Sequence, residues 1–396
     1  MKKYLPLLLA VFFIGLGVVL RDKMPKPYVW VLTFPAFAAA FACFTVFARS
    51  SLLRYICIGF MSLLLAIGAF EAYLCLGTRV QEEGHVRKVS IEEIRQERNR
   101  PDLQDYQSNL TFNDPVLGYR PKPMKVQTAT KLMYDDKVIY DAVYSTLESG
   151  WRVTPQHPEA EYAVVFFGCS YVFGYGLNDK ETFPYKVGEM LGDQYQVFNF
   201  AYSGYGSHHM LAQIQNGFLE DIAARYKKIF VFFVTISGHE LRSAGFSTWD
   251  RRGPWYALEN GEVVHKGRFT DRNNFLVRAL HRFLRNSLAY RALTEARQED
   301  VGQYRDLHIA ILKKAGQELQ SRYNTRLTTV LWPGTSYLDA MTRAGIPVLD
   351  LQPYFPGYVD DKSEKYSIPH DGHPNALATD IAAKALTKYV KDSIEQ

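Results

Sequence analysis

"FFGCSYVFGYG", Phe166 to Gly176, decides how the rest of the chain is read. The run feeding it, "YAVVFF" (Tyr162–Phe167), is short and apolar throughout, as suits a strand buried on both faces of a sheet. It stops at Gly168-Cys169-Ser170, where small residues turn the chain and leave a hydroxyl at the strand's carboxyl end. "KETFPYKVGEML" (180–191) follows with helical spacing, and the alternation then repeats. Further strands are predicted at Tyr195–Phe200, Lys228–Val234, Arg326–Trp332 and Ile346–Leu351. Helices are predicted over His208–Ala224 and in "ALATDIAAKALTKYVKDSI" (376–394). This pattern implies a three-layer α/β/α fold around a mostly parallel five-stranded sheet. In such sheets function collects at the carboxyl ends of the strands.

Those ends carry Ser170, then "NFAYSGYGSHH" (199–209), "TISGHELR" (235–242) and "YSIPHDGHPNA" (366–376). A serine hydroxyl becomes a useful nucleophile when an imidazole takes its proton, and that imidazole needs a carboxylate on its other nitrogen. Asp371 and His373 meet this need locally, two residues apart on a loop held extended by Pro369 and Pro374. The backbone N–H groups of Ser170 and Gly204 are the candidate oxyanion donors, glycine allowing a substrate oxygen close to the main chain. Competing readings exist for several of these residues. Ser170 is also placed to cap a helix, and Cys169 is a second possible nucleophile. His208 and His209 read as the first turn of a helix. His239, Glu240, His370, Asp371 and His373 include zinc-ligand types but lack a metal-binding spacing, so neither metal nor cofactor is expected.

The chain of 396 residues is 47% hydrophobic and 14% aromatic, enough for one large domain and additional parts. Its net charge of +5 is modest and its basic residues are scattered, which argues against nucleic acid as a partner. Cys43, Cys57 and Cys75 lie in apolar stretches and suggest no disulfide framework. Three apolar runs, Tyr4–Leu20, Tyr28–Ala48 and Tyr55–Leu76, each approach the ~20 residues a helix needs to cross a bilayer. Residues 1–77 are therefore expected to form a membrane anchor of three transmembrane helices. Lys2, Lys3, Arg49 and Arg54 against Arg21, Lys23 and Lys26 favour a cytoplasmic N-terminus, which places everything after the third span outside a bacterial inner membrane. Glu71 falls near the outward end of that span, within reach of the interface.

Residues 78–160 read as a charged juxtamembrane linker, "RVQEEGHVRKVSIEEIRQERNRPD" (79–102), followed by a β-rich extension. Residues 161–396 form the α/β domain, with an insertion at about 241–297 in which Glu259-Asn-Gly-Glu262 marks a hairpin. Trp249, Arg251 and Trp255 within the insertion are candidate substrate-binding residues, suited to stacking on sugar rings and bonding to hydroxyls. Packing over the sheet or against a partner protein is the other reading of that segment.

Over about Ala163–Leu386 the chain resembles the SGNH, or GDSL, hydrolase family in its membrane-anchored bacterial form. The resemblance rests on "FFGCSYVFGYGL" (166–177), "NFAYSGYG" (199–206), "SGHE" (237–240) and "DGHPNALA" (371–378). It implies a flavodoxin-like α/β/α fold, with the family's nucleophile, glycine donor and catalytic histidine at Ser170, Gly204 and His373. It also puts His239 in the position of the family's oxyanion-binding asparagine, where a neutral imidazole can donate one hydrogen bond. Gly-Cys-Ser stands for the usual Gly-Asp-Ser, and Asp371 lies two rather than three residues before the histidine, the usual acid position being occupied by His370. The implied activity is hydrolysis or transfer of acyl esters, often on carbohydrates, with envelope-assembly proteins as possible partners. The alternative is a catalytically inactive binding or scaffold protein that keeps the fold.

Overall fold

The computed structural model describes residues 10, 12–14, 29–48, 50–79, 110–132, 138–247, 249–272, 287, 301–358 and 365–394. Two units emerge: Met1–His85 with Asn273–Asp300, and Val86–Arg272 with Val301–Gln396.

In the first unit, helices α1 (Val29–Phe47) and α2 (Ser51–Arg79) pack together. Gly68 lets the pair approach, since a Cβ there would lie 3.2 Å from Pro35 Cδ, and Phe41 stacks on Phe60 at 5.3 Å. Ser51–Leu74 of α2 is long and apolar enough to cross a membrane; its 24 residues rise through about 36 Å at ~1.5 Å each. Leu53, Ile56 and Leu63 are exposed along it, a surface that suits lipid better than water. The apolar part of α1, Val31–Val46, is shorter. The predicted first span lies outside the described residues except for 10 and 12–14, and the charged linker lies outside them altogether. Glu71, expected at an interface, is instead fully buried within this unit, where it accepts a hydrogen bond from Ser287. A buried carboxylate requires such a partner.

The second unit is built on β5 (Tyr162–Phe167), β6 (Tyr195–Asn199), β7 (Lys228–Thr235), β10 (Leu327–Leu331) and β11 (Val348–Asp350). They form one parallel sheet in the order β11-β10-β7-β5-β6, the flavodoxin-like arrangement. Side chains alternate between two cores. Ala163, Val165 and Phe167 meet Met210, Leu211 and Ile214 of α5 (Ser207–Gln215) and Ile311 and Leu312 of α8 (Val301–Tyr323). Val164 and Phe166 meet Phe183 and Val187 of α4 (Phe183–Leu191) and Ala382 and Leu386 of α10 (Ala376–Asp392). Strands apolar on both faces thus become the middle layer of three. The predicted helix His208–Ala224 is in fact two, α5 and α6 (Glu220–Arg225), because the chain turns at Asn216-Gly217 with Gly217 at φ +78°.

Ahead of the sheet come two hairpins, β1 (Thr111–Asp114) with β2 (Gly118–Pro121) and β3 (Val126–Leu132) with β4 (Val138–Ser145). Between β7 and α8 lie α7 (His239–Ser243) and the hairpin β8 (Pro254–Glu259) and β9 (Glu262–Arg268). Its turn places Asn260 and Gly261 at positive φ, as the sequence signal requires.

Arg152 joins the extension to the sheet. With no exposed surface, it donates to the carbonyls of Phe173 (2.7 Å), Gly174 (2.6 Å), Leu177 (2.6 Å) and Val143 (3.2 Å), and to Asp179 Oδ1 (3.1 Å). Its guanidinium also lies over the rings of Tyr144 and Phe173. Arg152→Met takes a buried donor from each of these acceptors, and among the described residues only Asp179 Oδ1 and the Gly174 carbonyl keep a second one, from Ser145 and Leu177 N–H. The expected loss is roughly 3–5 kcal/mol of stability, read from the denaturant midpoint of the detergent-solubilised chain.

Candidate active site

Ser170 opens a one-turn helix, α3 (Ser170–Phe173), directly after β5. Gly168 at φ +154° makes the turn possible, since a Cβ there would lie 2.4 Å from Val172 Cγ2. Cys169, not Ser170, occupies the N-cap position, so the serine is not the helix cap. Cys169 has no exposed surface and packs in the apolar core, which leaves its thiol no route to a substrate. The Ser170 hydroxyl lies 2.9 Å from His373 Nε2.

His373 stands on a tight turn before α10. Ile368 N–H donates to the His373 carbonyl at 2.7 Å, while the Ile368 carbonyl accepts from Asp371 and Gly372 N–H at 3.0 and 3.1 Å. His370 adopts φ 59° to make the turn. Asp371 Oδ1 is thereby brought 2.5 Å from His373 Nδ1. The ring of His373 is flanked by Tyr175 (centroids 4.8 Å apart) and Tyr171 (5.6 Å), and Tyr171 Oη donates to the Gly372 carbonyl at 3.1 Å. Burial pushes the Asp371 carboxyl up, but hydrogen bonds from His373 and Lys131 outweigh it and hold the group down to about 2. It is therefore ionised, as a group that orients an imidazole must be. Lys131, on β3, pairs with Asp371 Oδ2. No motif marked this residue.

Gly204 follows β6 at φ +84°. A Cβ there would lie 2.3 Å from Trp249 Nε1 and 2.6 Å from Tyr119 Oη, so only glycine fits. Trp249 Nε1 faces the Gly204 carbonyl at 3.4 Å and the residue stays 59% exposed, which puts one predicted substrate-binding aromatic beside the predicted glycine. Arg251 is half-buried, its carbonyl accepting from Thr270 N–H at 2.9 Å, and Trp255 is half-buried on β8, a strand that packs on α5 and α8.

His239 does not serve as the oxyanion donor expected of it. Fully buried, its ring lies 5.5 Å from Phe233 and 6.1 Å from His308, with Nδ1 3.3 Å from Thr235 Oγ1. Burial, then the nearby Arg242 charge, hold it far below the ordinary histidine range. A neutral ring without exposed surface cannot meet a substrate oxygen. Its neighbour His308 bridges Ser207 Oγ (2.8 Å) and Thr235 Oγ1 (3.1 Å) in the same interior, a polar network with no solvent access.

Among the described residues, the side chains close enough to share an ion are His208, His209 and Asp250. Asp250 Oδ2 lies 2.7 Å from His208 Nε2, and Oδ1 faces His209 Nε2 at 3.4 Å. His209 Nδ1 accepts from Gly206 N–H, which places the ring proton on Nε2, where a metal would need a lone pair. The donor set therefore fits a carboxylate held by two imidazoles better than a metal. It fixes the stretch after Trp249 to the start of α5, next to the Gly204 loop.

No family model and no curated protein matches the chain. Solved structures similar to it include a lipolytic protein described as of the G-D-S-L family from Desulfitobacterium hafniense DCB-2, with 13% identity over 56% of this chain and 98% of that one and a TM-score of 0.31. Another is the lipase Lip_vut3 from a goat rumen metagenome (13% identity, 57% and 95% coverage, TM-score 0.33). A third is an alpha/beta hydrolase enzyme from the metagenome of Lake Arreo, Spain (14%, 59% and 96%, TM-score 0.32). These likenesses are too slight to carry an assignment, which rests instead on the chain's own residues.

His208 makes a pH prediction. Burial first, then the neighbouring His209, hold it down to about 4, while the unfolded chain titrates near ~6.5. The unfolded state then binds more protons between those values, so stability is full above about 6.5 and falls toward pH 4. His208→Gln is expected to flatten that fall, read from unfolding midpoints at several pH values between them.

Proposed function

We propose that the chain is a membrane-tethered serine esterase or O-acyltransferase of the SGNH type, acting on acyl, most simply acetyl, esters of a cell-envelope carbohydrate. The observation that carries the reading is the unbroken line from Ser170 Oγ through His373 to Asp371, at 2.9 and 2.5 Å. Ser170 Oγ attacks the ester carbonyl as His373 Nε2 takes its proton. Negative charge collects on the former carbonyl oxygen, where the N–H groups of Ser170 and Gly204 are the proposed donors. Collapse expels the alcohol, which leaves with the proton from His373, and the acyl group stays on Ser170. Water completes hydrolysis by the same steps in reverse, and a sugar hydroxyl in its place completes transfer. Asp371 stays ionised throughout and stabilises the imidazolium.

The aromatic faces of Tyr171 and Tyr175 beside His373, and of Trp249 beside Gly204, suit a sugar ring. The apolar span in α2 and the basic residues around the N-terminal runs support a tether in a bacterial inner membrane with the α/β unit on the periplasmic side. The inactive scaffold reading draws on one observation, the withdrawal of His239 from any substrate.

Activated acetyl esters separate the two. The full chain in detergent should turn over p-nitrophenyl acetate, and Ser170→Ala should lower kcat by about 10³-fold or more. Absence of turnover in the wild type would establish the scaffold reading. Gly204→Ala, whose Cβ displaces Trp249, should lower kcat/KM by about tenfold or more while leaving Ser170 open to an active-site phosphonate.

A further inference from the structure

We propose that Lys131 extends the Ser170–His373–Asp371 line as a positioning residue, so that the hairpin preceding the α/β domain is part of the catalytic centre. The inference rests on the esterase reading above.

The need for it follows from the carboxylate. Asp371 Oδ1 is occupied by His373, through Nδ1 at 2.5 Å and backbone N–H at 3.3 Å. The side chain is only 2% exposed, so Oδ2 cannot rely on water. An unfilled Oδ2 would let the carboxylate rotate or take up a proton, and either change would release the imidazole. Lys131 Nζ fills that place, across 240 residues of sequence.

The hairpin is shaped for this. The β3–β4 register pairs Lys131 with Tyr140 and then shifts, Leu132 pairing with Val138, so that a bulge lies immediately beside the lysine. Bulges redirect side chains next to them. Cross-strand partners share one face of a ladder, and Tyr140 uses that face to hydrogen-bond Tyr175, whose ring lies on His373. One cross-strand pair therefore supports both members of the dyad: Lys131 holds the acid, and Tyr140 holds the ring that flanks the base. A lysine suits the task because a point charge on a flexible stem can address one oxygen and leave the other to the imidazole.

Lys131 also affects pH dependence. The groups facing Asp371 and His373 are Lys131 from β3, Tyr140 and, further back, Tyr144 from β4, Ser170, Tyr171 and Tyr175 around α3, and His370 on their own turn. Burial pushes all four tyrosines up, so they stay neutral wherever the enzyme works. The charges acting on Asp371 are those of His373 and Lys131. Removing the lysine removes one of the two partners that hold the Asp371 carboxyl down, so that group takes up its proton at higher pH.

The test compares Lys131→Met and Lys131→Arg with wild type in the full-length chain, measuring kcat, KM and the pH profile of kcat/KM on p-nitrophenyl acetate. Lys131→Met should lower kcat about tenfold or more with KM within about twofold, and move the acid limb up by about half a pH unit. Lys131→Arg should return the limb to its wild-type position. In an Asp371→Asn background the lysine change should add nothing, because the residue acts through that carboxylate. Lys131→Gln replaces the methionine variant if that one fails to fold. Loss of activity in Ser170→Ala with wild-type kcat and an unmoved acid limb in the lysine variant would overturn the role of Lys131 alone. A wild type without turnover would overturn this role and the esterase reading together.

Discussion

A guanidinium with no exposed surface holds together the part of the molecule on which everything else depends. Ser170 lies on a single turn of helix, too short to keep its own shape unaided. Arg152 collects the carbonyls of Phe173 at its end and of Gly174 and Leu177 just beyond, and ties them to Val143 of the extension and to Asp179. The hydroxyl is thus fixed from behind by a residue that precedes the first strand of the sheet. Burying such a charge is tolerable only because every direction in which it can donate is met.

The same extension reaches the other end of the Ser170–His373–Asp371 line through Lys131, and the glycine loop through Tyr119, whose Oη donates to the Ser203 carbonyl at 2.9 Å. The parallel sheet presents Ser170 and Gly204 beyond the ends of β5 and β6, and the turn before α10 brings His373 to the serine. The extension in front of it then braces all three, through Arg152, Tyr119 and Lys131. In the other unit, α2 carries the stretch long and apolar enough to cross a membrane.

The sheet was legible because strands buried on both faces spell themselves as short apolar runs; all five appear within a residue or two of their predicted limits. Asp371 and His373 were legible together because their geometry is local, and Ser170 because a strand end is marked by glycine. His239 was misplaced for an equally physical reason. "SGHE" reads as a loop, but α7 begins at His239 and turns the ring inward, onto Thr235 and toward His308, far along the chain on α8. The pairings of Asp250 with His208 and of Lys131 with Asp371 span 42 and 240 residues, and no periodicity encodes which lysine a bulge will aim at a distant turn. Local patterns reveal elements, whereas contacts between elements depend on packing.

The separation of the paired groups has a consequence for the timing of synthesis. The hydroxyl and its base are 203 residues apart, and the lysine lies further back still. A nascent chain therefore exposes Ser170 long before His373 has been made, and during that interval the hydroxyl has no partner to activate it. The contact between Ser170 and His373 therefore forms late, when the closing turn docks on a framework already folded.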